Sequence, residues 1–305
     1  MALKLIELKN LMPDPIRQGI VDVMWRNSPD LFQLMPFIQH TDLVYRYTED
    51  ARLPGVAYRA LNADFAATAE GVTNPKVESL SILGGDMTTD SILIAQKGAA
   101  ARANRIAKKM KAATRRFVRD FFLGDPTVTG HGTEIMGLKK RIGSSLIVTN
   151  ATNGAAPSWK KFVELQDLVE GTNAEKQLMM NRQTRRKLSE DVAANAGGMG
   201  VFDVGKQLTQ FNGSQIVEVG KDEAEAEILA FDETCGTSSV TASAYCVRFG
   251  SDTDEEYVQG ILGLPERIQH IDVGYTGATY KDVIQMACGI GLFSGYCAAR
   301  LKGIL

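Results

Sequence analysis

Cysteine is scarce in this chain, with four among 305 residues. Cys235, Cys246, Cys288 and Cys297 stand far apart, with no C-x-x-C and no nearby His pair, so neither a zinc site nor a redox motif is indicated and buried free thiols are expected. Histidine is scarcer, at three. His40, His131 and His270 are widely separated, and no G-x-S-x-G elbow or H-E-x-x-H pair accompanies them; His131, between two glycines, reads as an exposed loop residue. An excess of one charge is lacking too. With 34 Lys and Arg against 36 Asp and Glu, the net charge of -2 makes the whole molecule no polycation drawn to nucleic acid or anionic lipid, and any such contact must be local. The opening MALKLIELKN carries Glu7 inside its apolar stretch and lacks a small-residue cleavage site, unlike a secretory signal, which fits synthesis in a reducing cytoplasm.

Only one run, Val283 to Ala299, is apolar enough to invite a membrane reading. It is short beside the roughly 17–25 residues of a spanning helix, and Gln285, Ser294, Tyr296 and its glycines interrupt it, so a strand buried on both faces is expected and no membrane partner. The remainder is ordinary globular composition, 44% hydrophobic and 23% charged, enough for about two domains.

Residues 1–42 read as an arm. Asp14-Pro15 and Ser28-Pro29 are helix starts, and Ile16, Ile20, Val21, Met24 and Trp25 form a stripe that must dock elsewhere. From Leu43 the period becomes two. LVYRYT and VAYRAL read as strands joined at Pro54-Gly55, a hairpin with few large apolar residues of its own, and Leu83-Gly84-Gly85 reads as a break. Tyr45 and Tyr47 fall on one face with Arg46 opposite; Val56 and Tyr58 share a face with Arg59 opposite, and Arg52 lies between. Ala99 to Leu123 is the clearest helix, with Ile106, Met110, Ala113, Phe117 and Phe121 on one side and Arg102, Arg105, Lys108, Lys109, Lys111, Arg115, Arg116 and Arg119 over the rest. Beyond it, GLKKRIGSSLIVTN reads as a strand and turn, and Ser158 as the cap of a helix burying Phe162, Leu165, Leu168 and Val169. Another helix runs from Arg182 to Asn195, and SQIVEVG, EILAFD, SVTASAYCVRF and the stretches around Ile261, Ile271 and Val283 read as strands.

Motifs for chemistry fail on inspection. Gly200 to Lys206 has phosphate-loop spacing, but Gln207 stands where Ser or Thr should hold magnesium. Gly289-x-Gly291-x-x-Ser294 is followed by too little chain for a dinucleotide-binding unit. Asp252, Asp254 and Glu256 alternate as in a calcium loop, yet Tyr257 occupies the position that needs Gly. Neither catalytic, metal nor cofactor residues are expected. The basic face of the Ala99 helix could attract phosphate, but with no interleaved aromatics its pairing with acidic groups is the favoured reading.

The order arm, hairpin, basic helix, mixed α/β region and returning strands resembles the major capsid proteins of tailed bacteriophages, the Hong Kong 97-type fold. Phrase-like segments carry the likeness: GTEIMGLKKRI, QLMMNRQTRRKL, FNGSQIVEVG, SAYCVRFG with VQGILG, and YKDVIQMACGIGLFSGYCAARLKGIL. The resemblance implies an α+β Hong Kong 97-like major capsid fold. Its parts would be an N-terminal arm (1–42), an extended loop (43–90), a peripheral domain with the spine helix (91–149, completed by parts of 240–290) and an axial α/β domain (150–239, completed by the C-terminal strand to 305). It implies a structural, non-enzymatic shell protein of a virion assembled in host cytoplasm. Its partners would be further copies in hexamers and pentamers, a separate scaffolding protein, portal and decoration proteins, and packaged double-stranded DNA held by non-specific contact. The separate scaffold is expected because Lys4 to Lys9 leads almost directly into the arm, and a Lys to Asn weld between subunits is not, because residues 43–74 hold no Lys. Trp25, Tyr45, Arg46, Tyr47, Arg52, Tyr58 and Arg59 are the expected inter-subunit residues, and Ile106, Met110, Phe117 and Phe121 the spine-helix core. A cargo-enclosing encapsulin shell is the nearest alternative, and a soluble nucleotide-dependent enzyme built on Gly200–Lys206 a more distant one.

Overall fold

In chain order, helix α1 (Leu31–Leu34) leads to strand β1 (Phe37–Gln39) and the ribbon of β2 (Val44–Arg52) and β3 (Val72–Ser79). Next come β4 (Ser81–Asp90), α2 (Ser91–Lys97), α3 (Ala99–Leu123), α4 (Leu138–Arg141), β5 (Ile147–Thr149), α5 (Trp159–Asp167), β6 (Lys176–Met180) and α6 (Arg182–Asn195). Strands complete the chain: β7 (Gln210–Phe211), β8 (Ser214–Glu218), β9 (Glu233–Cys235), β10 (Ser238–Arg248), β11 (Val258–Gly263), β12 (Gln269–Thr276), β13 (Thr279–Leu292) and β14 (Ala298–Ile304). This computed structural model describes residues 31–52, 56–65, 72–97, 99–195, 208–250, 257–263 and 269–305.

Two sheets organise the body. In the first, β13 is the axis: β4 runs antiparallel along one edge, β12 and β11 lie end to end along the other, and β1 adds in parallel to β11. The glycine-rich apolar run is therefore strand from Thr279 to Leu292, turning into β14 at Ala298, and among the described residues no helix is long and apolar enough to cross a membrane. The second sheet has the order β5-β14-β10-β6-β8-β7, with β9 beside β10. β10 is buried along most of its length and sits at the centre of this sheet.

The spine helix α3 spans the expected 25 residues. Met110, Phe117 and Phe121 are buried, Ile106 packs partly buried against the same core, and the Phe37 and Phe117 rings lie 6.5 Å apart. Val118, Phe122 and Thr114 are buried too, so the helix sinks deeper than its main stripe implies. Gly84 and Gly85 do not break the chain: both lie inside β4, where a Cβ at Gly85 would stand 2.4 Å from Lys109 Cε and one at Gly84 2.1 Å from Ile284 O. Missing side chains let β4 fit between β13 and the helix.

Three other expectations change. VAYRAL is not a strand; β2 pairs instead with VTNPKVES, in the register Val44↔Ser79 through Thr48↔Pro75 and beyond, and residues 56–65 lie at the far end of the ribbon. GLKKRI forms the helical turn α4, because Leu138 and Ile142, four apart, are both buried while Lys139 and Lys140 face out. EILAFD is a turn whose Ile228 and Leu229 are buried, with the Leu229 carbonyl accepting from Asn181 Nδ2 at 2.6 Å instead of from a neighbouring strand. Ser158 does precede α5, where Phe162 and Leu165 are buried, as is Val169 just beyond its end, but the Ser158 side chain makes no cap bond; Asp191 Oδ2 accepts from the Trp159 N–H at 2.7 Å.

Candidate assembly surface

The hairpin is anchored at its base by the aromatic face expected to reach a neighbour. Tyr45 and Tyr47 ring centroids lie 5.6 and 5.0 Å from that of Phe293 of the same chain, and Tyr47 Oη donates to Leu292 O at 2.9 Å. Arg141 adds a two-pronged hold, donating to both carboxylate oxygens of Glu78 at 2.8 and 2.7 Å. Tyr45 and Tyr47, expected at a neighbour, thus pack half-buried within the chain against Phe293, the residue that follows β13. Arg46 is on the opposite, exposed face with Val44, Thr48 and Val77.

The far end is apolar and uncovered. Val56, Tyr58 and Leu61 are 100%, 107% and 92% exposed, and Phe65 is 67% exposed. Arg59 belongs to this tip, donating to Ala63 O at 2.8 Å and lying 5.4 Å from the centroid of the Phe65 ring. The Arg52 side chain and Trp25 lie outside the described residues, as do the rest of the arm through residue 30, the Gly200–Lys206 loop and the Asp252–Glu256 turn.

At the base, a groove of about 940 Å³ separates residues 76–82 from Pro126, Gly132–Glu134, Met136 and Lys140–Gly143, with Leu292 and Ala298 also lining it.

The basic face of the spine helix is largely occupied within the chain. Arg102 grips the buried Asp282, its Nε donating to Oδ2 at 2.8 Å, and reaches Asp272; His270 Nε2 lies 2.9 Å from Asp282 Oδ1. Arg115 meets Glu225, and Arg116 bridges Asp120, Glu134 and Glu223, tying the loop after β8 to the helix. His131 is a half-exposed loop residue and pairs with Glu134 at 2.5 Å. Lys108 and Lys111 remain exposed. All four cysteines are free and buried, and burial pushes the Cys246 and Cys288 thiols up to about 12, which keeps them protonated near neutral pH. Among the described residues, no His, Cys, Asp and Glu cluster could hold a metal.

No family model and no curated protein sequence matches the chain. Solved structures do. The capsid of a native GTA particle superposes with a TM-score of 0.67 at 14% identity over 90% of each chain. The SrpI encapsulin of Synechococcus elongatus gives 0.64 at 12% identity, over 92% of this chain and 87% of its own. The capsid of Myoviridae phage XM1 gives 0.56 at 13% identity over 86% of each. The fold is the Hong Kong 97 type.

Several working residues of this Hong Kong 97-type chain escape sequence reasoning. Glu78 with Arg141, and Glu223 and Glu225 with the spine helix, pair across 63 and more than 100 residues, a separation that carries no local signal. Leu61 and Phe65 were legible as apolar, but nothing in the sequence marks them as uncovered.

Proposed function

We propose that this chain is a structural shell subunit, the major capsid protein of a tailed bacteriophage, which self-assembles through hexamers and pentamers around packaged double-stranded DNA. The observation that carries this reading is the hairpin tip: a ribbon pinned at its base by Tyr47, Glu78 and Arg141 projects Val56, Tyr58, Leu61 and Phe65 into solvent. Apolar side chains clustered in the open mark an interaction site. The Hong Kong 97-type fold, shared with particle-forming proteins, supplies the second support.

On this reading residues 1–42 are the arm and β2–β3 with its tip the extended loop. The spine helix with β1, β4 and β11–β13 forms the peripheral domain, and the seven-stranded sheet with α5 and α6 the axial domain. The protein's work is binding, with no catalysis. Its partners are further copies, a separate scaffolding protein, portal and decoration proteins, and DNA touched without sequence preference; its place is the virion capsid, assembled in the host cytoplasm. An encapsulin-type compartment is the second reading, favoured by the comparable match to the SrpI encapsulin.

Negative-stain imaging and light scattering of the chain, expressed alone and with its neighbouring genes, test the proposal. Closed shells or rings are expected; a strictly monomeric species under both conditions overturns it. Nucleic acid inside the particles supports the capsid reading, and a co-purifying enzyme with little nucleic acid supports the compartment.

A further inference from the structure

Among the described residues, strand β3 is paired along one edge only. Leu80 N–H donates to Leu43 O at 2.9 Å, which makes these two a hydrogen-bonded pair, and the register Tyr45↔Glu78, Arg46↔Val77 and Tyr47↔Lys76 sets the alternation from there. Glu78 and Lys76 turn their backbone groups to β2, so Val77 and Ser79 turn theirs to the opposite edge. Among the described residues no second strand takes that edge. Residues 76–82 also form one whole wall of the groove, where Val77 and Ile82 are 60% and 62% exposed. A backbone edge beside apolar surface is what an added strand requires. Pro75, with no N–H to give, closes the edge on one side.

The matching piece is the segment VAYRAL at residues 56–61. Its alternation and its Val and Tyr suit a strand, yet it belongs to none, and Val56 and Tyr58 are fully exposed. The ribbon carries it away from its own groove: the steps from Val72 to Ser79 span on the order of 24 Å at about 3.4 Å each. A segment that reads as a strand, has no strand partner among the described residues and is held at a distance from an open edge fits the same edge on another copy.

We propose that residues 56–61 of one copy add as a strand to the open edge of β3 in the next copy, pairing with Val77 and Ser79 and seating Val56 and Tyr58 in the groove. The proposal rests on the shell reading and names the place where one subunit receives the next.

Two variants test it. Tyr58→Cys with Ile82→Cys in one chain puts a thiol on each side of the contact, against a background of buried native cysteines. Mild oxidation of assembled particles is expected to give covalent multimers on a non-reducing gel, and neither single variant should do so. Val77→Pro removes the outward N–H but no bond to β2; the subunit should melt within about 2 °C of the parent while particle yield falls at least tenfold. Parent particles that form normally while the double variant gives no multimers, or Val77→Pro particles at parental yield, overturn the strand addition and leave the shell reading standing. Multimers from Tyr58→Cys alone place tips against tips and overturn it as well. A parent chain that never assembles overturns the shell reading and this proposal with it.

Discussion

Phe117 and Lys108 lie on one helix and differ in everything that sets the cost of losing a side chain. Phe117 is fully buried against Phe37, so Phe117→Ala should destabilise by roughly 3–5 kcal/mol, whereas exposed Lys108→Ala should cost under about 0.5 kcal/mol. Chemical denaturation of both variants checks this, and equal midpoints would show the helix faces to be wrongly assigned. Glu233 sets a titration. Burial pushes its carboxyl up, but Arg300 and Lys139, each 2.8 Å away, and the Ser243 hydroxyl outweigh this and hold it below its ordinary 4.5. A depressed carboxylate contributes stability that is complete above the unfolded value and is lost as pH falls through the folded one. Glu233→Gln should therefore cost roughly 3 kcal/mol at pH 7, since it leaves Arg300 half-satisfied, and the deficit should shrink from about pH 5 downward. A deficit that stays constant to pH 3 would show that charge is not the cause.

For the hairpin, base and tip serve separate ends. Tyr47→Phe removes a hydrogen bond to Leu292 O and should cost about 1 kcal/mol in the subunit's own stability. Tyr58→Ser combined with Leu61→Ser touches side chains that the isolated subunit leaves in water, so its melting should not move. Particle yield should collapse in the tip variant and hold in the base variant; paired melting curves and sedimentation read both. The reverse pattern would mean that the tip folds back on its own domain. Arg59→Glu belongs with the tip, since its guanidinium lies at the Phe65 ring, and should impair assembly with the fold intact.

For the whole molecule, association and stability are linked. Burying the tip between copies stabilises the folded state by mass action, so assembled particles should melt above the dissociated subunit by an amount that the Tyr58→Ser, Leu61→Ser variant lacks. Calorimetry of both at equal concentration tests this, and identical melting would separate the tip from assembly. The balanced charge of -2 adds little long-range repulsion between copies, so salt should act through local pairs.

Local pattern already carried the spine helix, α6, and β8, β10 and β13, because apolar periodicity and helix-ending residues act over a few positions and need no distant partner. Pairing was another matter. VAYRAL has strand character, but whether β2 takes it or VTNPKVES depends on where Phe293 and Arg141 lie, more than 60 residues away along the chain. The same holds for Tyr45 and Tyr47: alternation put them on one face, and only the end of β13 made that face the inner one. Which side chains share a face is a property of backbone geometry and can be read locally; which face meets what depends on long-range contacts that exist only once the chain has folded.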